Sequence, residues 1–114
     1  MNDRPPTDFL VSAQTRIAAE QGVPIIVRNR GDAATGALLL KINLLDGTAR
    51  VLTQVRLEDE LVWSPASRTD PMAEEDAESY LARQADMDPD IWIIEVEDRK
   101  GRPWFPGRVV KVDR

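Results

Sequence analysis

Four acidic side chains, Asp86, Asp88, Asp90 and Glu97, stand at positions 1, 3, 5 and 12 of a loop with EF-hand spacing, where carboxylate oxygens would enclose a calcium ion. Ile93 fills the apolar eighth position. Three departures oppose the match. The sixth position, which needs glycine for a sharp turn, is Ile91; Pro89 stiffens the fourth; and a β-like run follows where a helix is required. Asp88-Pro89-Asp90 is equally a helix stop before a buried strand, so these acids are metal candidates by spacing alone and no cofactor is called for. Gly31 and Gly36 have the outer spacing of a P-loop, but no Lys-Ser or Lys-Thr follows, and a loop between strands accounts for them. With no histidine and no cysteine, the Ser-His-Asp and Cys-His arrangements, structural zinc and redox thiols are all excluded. No catalytic residue is singled out, and the inventory leans away from an enzyme. A carboxylate metal-dependent hydrolase is the catalytic reading that survives.

Binding chemistry has more to draw on. Arg102, Trp104, Phe105 and Arg108, interleaved with Pro103 and Pro106, are of the residue types that concentrate energy at protein interfaces. Either they capture a partner, or Trp104 and Phe105 fold back into the core beside Trp63 and Trp92. Arg28, Arg30, Lys41, Arg50 and Arg56 fall on outward strand positions and make a candidate basic face for nucleic acid. None of those positions is aromatic, so the face lacks platforms for stacking bases. The leading reading is a non-enzymatic adaptor or regulatory domain with a protein partner; nucleic acid is the alternative.

The elements that must position these groups follow from periodicity and turn chemistry. Phe9, Leu10, Ala13, Ile17 and Ala18 recur at helical spacing after Pro5-Pro6, with Gly22 as a stop, which predicts a helix over 8–21. Residues 23–30 alternate as a strand whose early Pro24 suits a sheet edge. Asp46-Gly47 predicts a two-residue type I′ hairpin. That turn would set Ile42 opposite Val51 and Leu40 opposite Thr53 on an apolar face, with Lys41 opposite Leu52. A short strand over 61–64 ends at Pro65. Asp70 as N-cap and Pro71 at the first helical position predict a helix over 71–87, its early turns loaded with Glu74, Glu75, Asp76 and Glu78. Ile91 to Val96, apolar on both faces, reads as an interior strand.

At 114 residues, 42% hydrophobic and 31% charged, the chain fits one core. The expected fold is α+β: a single antiparallel sheet of four to six strands with two helices packed on one face. Residues 1–7 form a mobile lead-in, 8–101 the domain, and 102–114 a basic aromatic tail or edge strand whose removal should leave the domain folded. The net charge of −5 is uneven: +2 over residues 1–57, −12 over 58–98 and +5 over 99–114. No run is long enough to span a bilayer and the opening residues lack an apolar signal core, so the expectation is a cytoplasmic protein with no membrane contact. Oligomeric state is not legible.

Five blocks in order resemble the bacterial domain of unknown function family 1491. They are the first helix, Gly36 to Asn43, Asp46 to Arg50, Tyr80 to Gln84, and Asp88 to Arg99. The resemblance covers about 8–105 and implies a small cytoplasmic bacterial protein. It implies no activity and no functional residues.

Overall fold

The structure, a computed structural model, describes residues 5–111. Residues 1–4 of the lead-in and 112–114 of the tail lie outside the described residues. The element order is α1 (Thr7–Glu20), β1 (Ile25–Asn29), β2 (Leu38–Asn43), β3 (Thr48–Leu57), β4 (Glu60–Pro65), β5 (Met72–Ala73), α2 (Glu74–Met87) and β6 (Trp92–Glu97).

The strands form one six-stranded sheet in the order β1-β6-β2-β3-β4, with β5 paired to β3. The expected antiparallel sheet is corrected to a mixed one, because β6 runs antiparallel to β1 but parallel to β2. Apolar alternation tells a strand which face to bury and says nothing about its direction. The return through α2 brings β6 into the sheet alongside β2, and as an interior strand it needs its apolar residues on both faces.

Both faces are covered. Val11 and Ala18 of α1 cluster with Leu38, Leu40 and Ile42, whereas Ala77 and Leu81 of α2 cluster with Leu39, Val51 and Ile93. Successive strand residues point to opposite faces. The helices therefore flank the sheet, one on each side, where the sequence led us to expect both on one face. The uninterrupted Leu38-Leu39-Leu40 run is the cause, since it gives both sides of β2 an apolar surface worth about 1.5–3 kcal/mol per buried side chain.

Two local expectations shift. The β2–β3 hairpin closes over three residues, Leu45-Asp46-Gly47, with the Leu44 N–H donating to the Thr48 C=O at 3.1 Å. Leu45 and Gly47 take the left-handed φ values of 64° and 90°. Leu40 then faces Leu52 and Lys41 faces Val51. This is a one-residue slip from the type I′ register, and it moves every β3 side chain to the other face. Leu52 joins the α1 side and Val51 the α2 side. The second shift is at α2, which starts at Glu74 and not at residue 71, because Met72 and Ala73 are extended and pair with Ala49 and Thr48. Burial of Met72 outweighs the local Asp-Pro start signal.

Gly22 ends α1 as predicted: at φ 79° it lets the Val23 N–H reach the Ala18 C=O and its own N–H reach Ala19. Gly31 and Gly36 have no phosphate role here. A Cβ on either would sit 2.7 Å from the Trp92 ring and closer than 3 Å to the Asp90 carbonyl oxygen. These glycines let the loop close over buried Trp92, whose indole N–H donates to the Asp32 C=O at 2.7 Å.

Candidate functional site

Lys41 is the least expected side chain in the sheet. It lies within an apolar strand, is only 1% exposed and points to the α2 face, where an isolated ammonium could not stay charged. Three carboxylates converge on it. Glu74 and Glu78, one turn apart on α2, accept hydrogen bonds from its Nζ, and Glu95, its neighbour on β6, lies 3.4 Å away. Arg28 of β1 closes the network by donating to both Glu78 and Glu95, and Asn43 Nδ2 donates to Glu95 at 3.0 Å. Burial alone would lower the Lys41 pKa, but the hydrogen bonds it donates to Glu78 and Glu74 reverse this and raise it. Hydrogen bonding to Arg28, and then to Lys41, holds Glu78 down at about 2.

That electrostatics decides the chemistry. A nucleophilic or Schiff-base lysine needs its amine neutral near pH 7, and Lys41 is pushed the other way. Glu78 is likewise held as an anion by Arg28 and Lys41. A cleft of about 160 Å³ opens beside Arg28, Asn29 and Glu78, but its charged groups are already engaged with one another. The cluster joins β1, β2, β6 and α2 and is a structural clasp. Its signal was in the sequence: a lysine inside Leu38 to Ile42 requires buried carboxylates, and Glu74 and Glu78 stand four apart on the facing helix.

The basic face divides. Arg28 and Lys41 belong to the clasp; Arg50 instead pairs with Asp70 at 2.9 Å on the opposite side; Arg30 lies 5.0 Å over the Trp92 ring; and Arg56 donates to the Asp59 C=O. Slipped hairpin register and bound acids explain the scatter. The EF-hand acids do not converge either. Asp88 Oδ1 accepts the Asp90 N–H in a helix-exit turn, and β6 carries Glu97 to the far end of the sheet. Among the described residues, no group of three or more acidic side chains is arranged to hold a metal ion.

The tail is tied to the domain. Phe105 is buried in the α1-side core, and Trp63 accepts the tail as a neighbour. The Trp63 N–H donates to the Arg108 C=O at 2.8 Å, its C=O accepts the Val110 N–H at 2.7 Å, and its indole donates to the Pro106 C=O. Arg108 pairs with Glu60. Arg102 and Trp104 both donate to buried Asp98, at 2.7 and 2.8 Å, and Arg102 stacks on the Trp104 ring. Burial pushes the Asp98 carboxyl up, but donors from Arg102, the Lys100 N–H and Trp104 overcome it and hold it at about 2, against an ordinary 3.8. A depressed carboxyl contributes stability above its unfolded pKa and loses it as pH falls through the folded one. Asp98→Asn should therefore cost about 2 kcal/mol at pH 7, with the difference shrinking from pH 4 to pH 2. Urea unfolding at pH 7, 4 and 2.5 measures it, and a loss that does not change with pH would contradict the assignment.

Among the described residues, β1 has no strand partner on its outer side. Strand order leaves β1 outermost, with Ile26 and Val27 40% and 44% exposed. The Glu97 N–H donates to the Pro24 C=O, and Ile26 pairs with Glu95. Antiparallel ladders alternate, so the N–H and C=O of Ile25 and Val27 point away from the sheet. A register shift between Val27 and Asn29 then ends the regular edge. Beside it, α1 and β1 form the walls of a groove of about 410 Å³ floored by Val11 and Trp92. Pro24 was the one sequence signal for this edge, and sequence reasoning missed Ile26 and Val27 as its exposed residues.

Comparison with known proteins agrees with this architecture. The family described as "Protein of unknown function (DUF1491)" matches over residues 6–106. A crystal structure of a DUF1491 family protein from Caulobacter crescentus CB15 is 37% identical with a TM-score of 0.84, covering 94% of this chain and 100% of that one. An NMR structure of a DUF1491 family protein from the same organism is 37% identical, TM-score 0.79, over 93% and 96% of the two chains. A solution structure of an A. tumefaciens protein, 21% identical with a TM-score of 0.75 over 97% and 98%, shares the fold. No curated protein matches. No helix among the described residues is long and apolar enough to cross a membrane.

Proposed function

Since the chain belongs to the DUF1491 family, whose description assigns no activity, its role must be argued from its own surface, and we propose a non-enzymatic protein-interaction domain that pairs an extended partner segment along β1. The observation that carries this reading is the open β1 edge with two exposed β-branched residues. An unpaired edge is a template for another strand: main-chain hydrogen bonds supply affinity, and pockets for alternate side chains supply selectivity. The role expected of the tail passes to β1 in this reading, because Phe105 packs in the core and Arg102, Trp104 and Arg108 are engaged with Asp98 and Glu60. Nucleic acid has less support, since Arg28, Lys41 and Arg50 are ion-paired and lie on two faces. A hydrolase also has less support, since Asp86, Asp88, Asp90 and Glu97 do not converge and the clustered Glu78 and Glu95 are ion-paired with Lys41 and Arg28.

The test uses Val27→Pro, which removes an outward N–H and leaves the ladder to β6 intact. Affinity purification from the native cell with the wild-type chain should recover a partner that the variant does not, while the variant's melting temperature stays close to wild type. Equal recovery by a folded variant would refute pairing along β1.

A further inference from the structure

We infer that the partner segment is acidic, and that the groove between α1 and β1 reads it as an extended peptide with two carboxylates flanking an apolar residue; this rests on the β1-pairing reading and extends it.

Three observations carry the inference. First, the groove adjoins the open edge: Val27 both lines it and is one of the residues whose main-chain groups face outward. A strand added to β1 would therefore turn every second side chain toward α1 and into the groove. Second, the groove has an apolar floor of Val11 and Trp92, with the small Ser12, Thr15 and Ala19 on its helical wall, so side chains can enter. Third, its charge is unmatched. Arg16 and Arg30 line it, and neither has a carboxylate within ion-pair distance among the described residues, whereas Arg28, Lys41 and Arg50 are ion-paired. Asp8 is the one acid on the groove, which leaves it at net +1 on a chain of −5.

The spacing follows from chain geometry. The backbone reverses between α1 and β1, so Arg16 lies toward the reversal at residues 21–24 and Arg30, beyond the end of β1, lies toward the start of α1. An extended peptide rises about 3.3 Å per residue, so acids four apart stand roughly 13 Å from each other, with the residue between them over Val27 and Trp92. The Arg30 guanidinium is already held over the Trp92 ring and needs little ordering to meet a carboxylate. Pro24 and the irregularity after Val27 keep the pairing segment short, so discrimination falls to these side-chain contacts.

The experiment is fluorescence anisotropy of the full chain with three fluorescein-labelled heptapeptides, SETVTES, SQTVTQS and SKTVTKS, at low and moderate salt. SETVTES should bind about tenfold tighter than SQTVTQS at low salt, SKTVTKS should bind weakest, and added salt should narrow the gap. Arg16→Glu with Arg30→Glu should erase the preference while the chain keeps a cooperative melting transition, and Val27→Pro should weaken SETVTES and SQTVTQS alike. Equal affinity for acidic and neutral peptides overturns the inference but leaves β1 pairing standing. So does failure of every peptide to bind while Val27→Pro still abolishes partner capture. A preference for SETVTES that persists in the Arg16→Glu, Arg30→Glu chain overturns the site.

Discussion

Lys41→Met is expected to lower stability by about 2–3 kcal/mol at pH 7, less than for a fully buried pair, because Glu95 is left nearly buried without its ammonium while Glu74 and Glu78 are partly exposed and can hydrate. The ammonium is 1% exposed and faces Glu74, Glu78 and Glu95. Arg28 alone would then have to hold Glu78 and Glu95. Urea unfolding gives the loss directly, and a change below about 1 kcal/mol would mean that the clasp is solvated. Adding Glu95→Gln should restore part of the stability, since it neutralises the most buried carboxylate that faced Lys41 and leaves Arg28 paired with Glu78. The pH dependence has a definite sign. Glu78 is held at about 2, against an ordinary 4.5, so its share of the clasp is present above pH 4.5 and lost as pH falls toward 2. The gap between wild type and Lys41→Met should therefore close across that window. Lys41 is raised, so its own contribution is complete below its ordinary 10.5 and fades only as pH climbs above that value.

Phe105→Ala should cost about 3–5 kcal/mol, the range for emptying a buried phenylalanine site. Phe105 packs with Leu38, Leu52 and Trp63 in the α1-side core. Ending the chain after Gly101 should do more, since it also removes Trp104 from Asp98 and the tail's two main-chain hydrogen bonds to Trp63. Domain stabilities are about 5–15 kcal/mol, so the shortened chain is expected to lose its cooperative melting transition. Near-ultraviolet circular dichroism against temperature checks this. A sharp transition within about 5 °C of wild type would show the tail to be dispensable, as its composition alone had suggested.

The composition of the tail leaves both readings, partner capture and a fold back beside Trp63, open for a physical reason. Proline, arginine and exposed-type aromatics are shared by interface segments and by straps that close a core. What separates the two is whether Trp63 offers an edge and Asp98 a buried acceptor, and both lie outside the tail. The basic residues divide between two faces for a related reason. Arg50 and Lys41 were placed on one side by a type I′ turn at Asp46-Gly47, but the loop takes in Leu45 as well. One extra residue, selected because it pairs Leu40 with Leu52 under α1 and Lys41 with Val51 under α2, reassigns the entire strand.

By itself the sequence determined the kind of elements. α1 stops at Gly22, β6 is interior, two helices and four to six strands make an α+β domain, and the order of blocks carries the family; β5, read as the start of a helix, was not legible. These depend on local spacing, turn residues and the apolar period, all short-range properties of the chain. Only the tertiary structure decided that β6 lies parallel to β2, that the helices take opposite faces, that Lys41 gathers three carboxylates, and that β1 is left open beside a groove with two unpaired arginines. Each of these joins residues far apart in the chain, 37 positions in the case of Lys41 and Glu78. Such pairings are settled by which faces and charges can be buried together.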